Sequence, residues 1–286
     1  MVIGGALREL RVILAERSRR KARHLYARAR WGRNLPALAA YFGTDKWGEH
    51  WYAGHYQAHF SHLRRKRLRL LEIGVGGYND PRLGGESLRM WKAYFPNASI
   101  IGLDITSKER HDESRIRTVV GSQDDEELLR RLSRSEGPFD IVIDDGGHRN
   151  AHVIRSFLTL FPLLTGNGIY VVEDTQTAYW PEFGGAPPGD ATAPTSMNFL
   201  KGLADALNYR EFPRSEGWAP HPLGQHIVAM HFYHNLVFVQ KGLNDEPSNY
   251  LDQPKSRSGR VLRRRRAKRK RVLRAAVQDG RSRTVD

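Results

Sequence analysis

Short apolar runs alternate with amphipathic stretches through the middle of the chain. The apolar runs are rich in Ile, Val and Leu, whereas the stretches between them carry apolar residues at helical spacing. This alternation predicts βαβ units, which build a mostly parallel sheet covered by helices on both faces. The predicted strands are 67–74, 99–104, 116–121, 140–145 and 168–174, and the predicted helices are 86–96, 124–132, 150–164 and 196–209.

The two ends of the folded region differ from this pattern. Residues 35–60 are rich in aromatic residues and histidine and show no strong period. A Gly- and Pro-rich loop, 181–195, follows the fifth predicted strand and is long enough to act as a lid. Residues 226–242 read as two strands with His234 and Asn235 at the turn, which predicts an antiparallel hairpin that closes the sheet.

Positive charge is concentrated at the two ends of the 286-residue chain. The net charge is +15, of which residues 1–33 carry +8 and residues 255–286 carry +12, so the middle is mildly acidic at −5. We therefore predict a basic helical N-terminal segment (1–34), one folded domain (35–250) and a basic, disordered tail (251–286). An alternative role for the tail is contact with an anionic membrane surface or a nucleic acid.

Composition excludes several classes of protein. The chain has no cysteine, which rules out disulfides, zinc–thiolate sites and cysteine nucleophiles. No apolar run approaches the ~20 residues that a transmembrane helix needs, and the N-terminus has neither an unbroken apolar segment nor a cleavage site. We expect a cytoplasmic enzyme.

A glycine-rich turn after the first predicted strand indicates a nucleoside cofactor. Ligands of α/β sheets bind at the carboxyl ends of strands, where the strand order reverses. Asp104 ends the second predicted strand, and an acid there suits the two ribose hydroxyls. Gln123 follows the third strand, where an adenine edge is expected. The residues assigned to the cofactor are Glu72, Gly74, Gly76, Gly77, Asp104, Gln123 and Asp144.

Two classes of cofactor compete for this turn. The glycines have the spacing E-x-G-x-G-G rather than the G-x-G-x-x-G of dinucleotide-binding proteins, and no helix follows at once to receive a pyrophosphate. The antiparallel closing hairpin also favours the methyltransferase form of the sheet. We therefore predict an α/β fold with the Rossmann-like sheet of S-adenosylmethionine (SAM) methyltransferases, and SAM as the cofactor. A nicotinamide cofactor is the alternative.

Two acidic pairs end neighbouring predicted strands. Asp144 and Asp145 end the fourth strand and Glu173 and Asp174 end the fifth, so the pairs should lie one strand spacing apart, about 4.8 Å. Acids this close raise one another's pKa values, and a hard dication such as Mg²⁺ relieves the repulsion. Adjacent strand residues point to opposite faces, so one acid of the first pair is expected to bind the metal. We choose Asp145, nearer the loop, with Asp144 as the alternative.

His148 follows the first acidic pair through Gly146 and Gly147, which let the chain turn back. An imidazole beside a metal-bound hydroxyl is suited to general base catalysis, so His148 is the candidate catalytic residue. No lysine lies near either acidic pair in the sequence. The alternative interpretation is a charged turn, with Glu173 and Asp174 capping the next loop.

Aromatic residues flank the two loops that carry these motifs. Aromatic rings there suit contact with a substrate that has apolar surface, and plain core packing is the alternative role. The candidates for substrate contact are Trp47, Tyr52, Tyr179 and Trp180, with Trp51 beside them.

Several segments between roughly residues 40 and 250 carry a family resemblance: GTDKWG, LEIGVGGY, LGGESLRMWKAYFP, DIVIDDGGH, YVVEDTQTAYWPEFGG and HFYHNLVF. In these segments the chain resembles metal-dependent SAM sugar O-methyltransferases of macrolide and aromatic polyketide biosynthesis. The resemblance implies Mg²⁺ held by Asp145, Glu173 and Asp174, with His148 as the catalytic base. It also implies a small-molecule glycoside as substrate and self-association of the protein.

Two positions depart from the family pattern. Gly147 stands where a serine usually precedes the catalytic histidine, and Ser122 replaces the aspartate of a GDQ-like segment that contacts adenine.

Three other functions compete with sugar methylation. One is RNA 2'-O-methylation by means of the basic ends, although that chemistry commonly uses a lysine beside the acids. Another is O-methylation of a rhamnosyl glycolipid at an anionic membrane. A third is a different use of the same fold, such as the related cephalosporin-type hydroxylation component.

Overall fold

The computed structural model describes residues 18–212 and 221–248. All elements discussed below lie in the first of two compact units. The predicted tail (251–286) and the first part of the predicted N-terminal helix lie outside the described residues. The chain divides into Met1–Tyr209 with Pro220–Asn244, and Arg210–Ala219 with Asp245–Asp286.

The described residues include one sheet of seven strands. The strands are β1 (Arg69–Ile73), β2 (Ser99–Asp104), β3 (Ile116–Val120), β4 (Ile141–Asp144), β5 (Ile169–Glu173), β6 (Ile227–Tyr233) and β7 (Leu236–Lys241). Their order is β3-β2-β1-β4-β5-β7-β6. Neighbours from β3 to β5 are parallel, and β7 pairs antiparallel with both β5 and β6. The predicted α/β fold with its closing hairpin is confirmed.

Helices cover both faces of the sheet. The helices are α1 (residues 18–31), α2 (Leu35–Phe42), α3 (Tyr52–Phe60), α4 (Glu86–Tyr94), α5 (Glu126–Glu136), α6 (Asn150–Leu160) and α7 (Ser196–Leu207). The buried residues of α1–α4 pack on one face, and those of α5–α7 pack on the other. In the described part of the chain no helix is long and apolar enough to cross a bilayer.

Helices α2 and α3 lie in the aromatic region for which the sequence showed no strong period. Asn34 caps α2 by accepting a hydrogen bond from the Ala37 N–H, and Gly43 ends it in a left-handed conformation. Histidine and glycine interrupt the apolar spacing of α3. The hydrophobic periodicity of the sequence therefore did not predict these two helices or the loop between them, 43–51.

The half-buried ring of His59 in α3 provides a prediction about acid stability. It stacks on Phe238 with centroids 4.1 Å apart. Removal from water, together with the nearby His231, His55 and His62, lowers the pKa of His59 to about 4. The unfolded chain, with a histidine pKa of about 6.5, binds more protons between pH 6.5 and 4. The free energy of unfolding should therefore fall as the pH drops through this window.

We expect His59→Phe, which keeps a ring against Phe238, to remove part of this loss. After allowance for solvent screening at a half-exposed site, the variant should retain about 1 kcal/mol more stability at pH 5 than the parent, relative to pH 7.5. Urea unfolding of both proteins at the two pH values measures this difference. Equal losses in the two proteins would contradict the role of His59.

Candidate active site

The candidate site lies at the carboxyl ends of β1 and β4, where the strand order reverses. Gly74 follows β1 with a φ of 88°, and its N–H donates to the Leu103 carbonyl at 2.8 Å. A Cβ atom at Gly74 would clash with the carbonyl oxygen of Asp145. Glycine is therefore required for the chain after β1 to pass this close to the loop that carries Asp145.

The other predicted cofactor residues near this turn shape its backbone. Gly76 and Gly77 have left-handed φ values of 77° and 73°. Asp104 accepts hydrogen bonds from the N–H groups of Val75 at 3.0 Å and Thr106 at 2.8 Å, so it braces the turn from β2. The structure brings these residues together at the switch point, and their contact with a cofactor stays a prediction.

Gln123 and Asp144 are held by protein groups. Nε2 of Gln123 donates to Asp144 Oδ1 at 2.9 Å, and Oε1 of Gln123 accepts from the Gly147 N–H at 2.7 Å. Asp144 Oδ2 accepts from Ser156 Oγ at 2.5 Å and Tyr170 Oη at 2.9 Å. Burial raises the pKa of Asp144, and these donors oppose the rise. These contacts hold the turn at Gly147, and the cofactor contacts of Gln123 and Asp144 stay predictions.

Asp145, His148 and Asp174 form one cluster beside the glycine turn. The Nε2 atom of His148 lies 4.0 Å from Asp145 Oδ1 and 3.5 Å from Asp174 Oδ2. Both His148 and Asp174 have left-handed backbones, with φ values of 52° and 51°. Residues other than glycine are uncommon in this conformation, and such strain concentrates at functional sites. The predicted base and two predicted metal ligands therefore share one cleft.

Asp174 is oriented by two side chains from the segment that leads into α3. Tyr52 Oη donates to Asp174 Oδ1 at 2.7 Å, and His50 Nε2 lies 3.9 Å from the same oxygen. Partial burial raises the pKa of Asp174, but the Tyr52 hydrogen bond and His148 outweigh it, so the net shift is downward. Tyr52 is itself buried, and its contact with a substrate stays a prediction. Its hydroxyl group holds the Asp174 carboxylate through this hydrogen bond.

Strand alternation decides which face of the sheet each acid joins. In β5, Ile169 and Val171 face α1–α4, whereas Tyr170 and Val172 face α5–α7. Glu173 continues the first set. By the same alternation Glu72 of β1 joins that face, and Asp145 lies there one residue beyond Asp144. Three acids consequently converge on the face that carries the loop between α2 and α3.

Lys46 of that loop lies among the three acids. Its Nζ is 2.5 Å from Asp145 Oδ2, 2.7 Å from Glu173 Oε1 and 3.4 Å from Glu72 Oε1. Burial raises the pKa values of Asp145 and Glu173 and brings that of Glu72 to about 7. Burial also acts to lower the pKa of Lys46, but the three acids outweigh it and the pKa rises. Tyr56 Oη donates to Glu173 Oε1 at 2.5 Å.

This lysine corrects two expectations from the sequence. A base does accompany the acids, although Lys46 is 99 residues before Asp145 and 127 before Glu173. Glu72 is fully buried and also accepts hydrogen bonds from Ser87 and Trp91, so it is not open to a cofactor. The sequence signal for Lys46 was indirect: acids that end buried strands without a nearby base require a cation from elsewhere.

The candidate aromatic residues divide between the surface and the core. Trp180 is 44% exposed, Tyr179 is 38% exposed and Trp51 is 63% exposed. Trp47 is half-buried, packing edge-on against Trp51 and against the core. The open rings therefore come from the segment after Asp174 and from the loop that carries Lys46.

The cluster fits a hard divalent cation. Asp145, His148 and Asp174 each offer a donor atom, and these atoms lie within 4.8 Å of one another. Carboxylate oxygens suit Mg²⁺, which binds them at about 2.1 Å. Lys46 and Tyr56 both bond Oε1 of Glu173, so the structure groups that predicted ligand with the lysine rather than with His148. Metal binding by the three predicted acids stays a prediction.

Comparison with known proteins gives close similarity to two curated enzymes. The chain is 50% identical over 214 residues to mycinamicin VI 2''-O-methyltransferase of Micromonospora griseorubida, covering 74% of this chain and 54% of that protein. It is 49% identical over 216 residues to 8-demethyl-8-alpha-L-rhamnosyl tetracenomycin-C 2'-O-methyltransferase of Streptomyces olivaceus, covering 74% and 57%. No family model matches the chain.

A solved structure agrees with these relatives. The MycE methyltransferase of the mycinamycin pathway, in complex with Mg, SAH and mycinamycin VI, matches with a TM-score of 0.73 and 48% identity, over 78% of this chain and 57% of that one. The fold is thus that of the SAM-dependent methyltransferase class. Within this class, the chain is homologous to sugar O-methyltransferases of macrolide and polyketide biosynthesis, and it spans about half the length of the curated relatives it matches.

Proposed function

We propose that the chain is a SAM- and Mg²⁺-dependent O-methyltransferase that acts on a sugar hydroxyl of a glycosylated natural product. The observation that carries this proposal is the cluster of Asp145, His148 and Asp174 beside the glycine turn after β1. The names of the homologous enzymes support the acceptor class, and the MycE complex supports both cofactors.

Asp145, Glu173 and Asp174 would hold the cation. When bound, Mg²⁺ lowers the pKa of an acceptor hydroxyl and fixes its position. The acids are well prepared for this role, because Tyr52 holds Asp174 and Lys46 holds Asp145 and Glu173. The glycine turn and Asp104 would hold SAM at the adjoining strand end, which brings the donor and the acceptor to the same edge of the sheet.

His148 would remove the proton from the acceptor. With its proton on Nδ1, the neutral ring presents Nε2 toward the two acids and can accept a proton there. Transfer forms the bond between the acceptor oxygen and the methyl carbon, and it breaks the bond between that carbon and sulfur. Most of the acceleration then comes from positioning and from stabilisation of the developing alkoxide.

The exposed rings on the segments next to Asp174 and Lys46 suit an acceptor with apolar surface. We propose that Tyr179 and Trp180, together with Trp51, contact the sugar or the aglycone. We also propose that the protein is cytoplasmic and self-associates, because both fit the proposed biosynthetic methyltransferase.

The decisive experiment is transfer from methyl-labelled SAM in the presence of Mg²⁺. Acceptors should include deoxyhexosyl glycosides of macrolides and polyketides, their aglycones, a rhamnosyl glycolipid and an RNA oligonucleotide. We expect label on the natural-product glycosides and none on the aglycones. Label on RNA that is lost when residues 255–286 are deleted would support the RNA alternative instead, and label on the glycolipid alone would support the membrane alternative.

A further inference from the structure

Lys46 is the central charged residue of the GTDKWG segment, and the proposed chemistry gives it no direct role. Its side chain is fully buried, and its ammonium contacts three carboxylates. Burial of an ammonium group is costly unless it is paired. These acids come from the ends of β1, β4 and β5. The ammonium group therefore connects the strand before the glycine turn, β1, with the two strands that carry the predicted metal ligands.

Lys46 contacts one oxygen of each acid. In Asp145 it bonds Oδ2, while Oδ1 is the oxygen that lies 4.0 Å from His148. In Glu173 it bonds Oε1, where Tyr56 also donates. These contacts therefore restrict the rotation of the Asp145 and Glu173 carboxylates, and Lys46 uses only one oxygen of each.

The charges around Lys46 match this arrangement. Glu72, Asp145 and Glu173 together carry three negative charges when ionised, and Lys46 cancels one of them. Without Lys46, three buried acids would face one another in metal-free protein, and their repulsion and desolvation would oppose folding.

We propose that Lys46 is a positioning residue, a permanent internal cation that holds Asp145 and Glu173 in their metal-binding orientation before the metal arrives. This inference rests on the proposed metal site. Such a role for Lys46 explains why the acids pair with a buried lysine in addition to the proposed metal.

The test compares melting temperatures (Tm) with EDTA and with saturating Mg²⁺. We expect Lys46→Met to lower Tm in EDTA by about 10 °C, because buried acids lose their partner. Mg²⁺ should restore at least half of this loss, and it should raise the Tm of the parent much less. Lys108→Met is the matched control: Lys108 is equally buried, but its Nζ donates to the backbone carbonyls of Tyr78, Asp80 and Leu83. Its loss of Tm should not respond to Mg²⁺.

The outcomes separate this inference from the proposed function. Equal, non-zero Mg²⁺ shifts in the parent and in Lys46→Met would overturn the role of Lys46 and leave the metal site standing. No Mg²⁺ shift in the parent would overturn both. If Lys46→Met does not fold in either buffer, the double variant Lys46→Met with Glu173→Gln decides. Recovery of folding in EDTA supports charge compensation, and continued failure overturns it.

Discussion

Replacing His148 with asparagine should lower kcat by about 10²–10⁴-fold while leaving the binding of SAM and Mg²⁺ nearly unchanged. The His148 ring lies beside two of the proposed metal ligands, with Nε2 3.5 Å from Asp174 and 4.0 Å from Asp145, where it can accept the acceptor's proton. Asparagine is the best replacement because His148 has a φ of 52°, and asparagine tolerates this left-handed conformation. Steady-state kinetics on a glycoside acceptor measures kcat, and calorimetry with SAM measures cofactor binding.

His152→Asn is the matched control for this variant. His152 lies in the first turn of α6, and its Nε2 faces Asp124 Oδ2 at 3.8 Å rather than Asp145 or Asp174. We expect its kcat to stay within about twofold of the parent. A His148→Asn enzyme that keeps most of its kcat would remove His148 from the proton transfer, and the acids alone would then have to activate the hydroxyl.

The sheet could be predicted from the sequence because its signals are local. Each strand from β1 to β5 is a short apolar run, and the acids and glycines that end these runs mark the functional edge of a parallel sheet. Helices α2 and α3 were missed because their aromatic and histidine residues give no clear period. Around the site, strand patterns in the sequence therefore predicted the structure better than helical spacing did.

The candidate site could be predicted only in part, because proximity in the sequence does not report contacts between distant segments. The period of two along a strand separated Asp144 from Asp145. The same rule, applied to Glu72 and Glu173, would have placed both on the face where Lys46 lies. Alternation could not show that Lys46 is the cation that pairs with these acids, because the loop between α2 and α3 that carries Lys46 is far from them in the sequence.

Burial also separates residues that look alike in the sequence. Gln123 was assigned to the cofactor because it follows the third predicted strand, and Tyr52 to the substrate because it is an aromatic residue flanking a motif-bearing loop. Both are buried and hydrogen-bonded to an acid, Gln123 to Asp144 and Tyr52 to Asp174. Their contribution is to hold the acids in place, and neither composition nor spacing distinguishes that role from direct contact with a substrate.

Replacing Asp145 with asparagine should weaken Mg²⁺ binding by at least about 100-fold and lower kcat by about 10³-fold or more at moderate Mg²⁺. Removing one carboxylate takes away a charge that both the cation and Lys46 use. Calorimetric titration of Mg²⁺ in the presence of SAH measures the affinity. Activity of the parent in EDTA should fall to the same low level, because the cation is then missing from the same step.

The neighbouring acid, Asp144, provides the matched control for this prediction. Asp144→Asn changes the same chemical group one residue away, but on the face of the sheet where Ser156 and Tyr170 donate to it. We expect it to lower the free energy of unfolding by about 1–3 kcal/mol, since an amide replaces a hydrogen-bonded buried carboxylate, and to leave Mg²⁺ affinity within a fewfold of the parent. The reverse result, with Asp144→Asn losing the metal and Asp145→Asn keeping it, would mean that the cation lies on the α5–α7 face of the sheet, where Ser156 and Tyr170 contact Asp144.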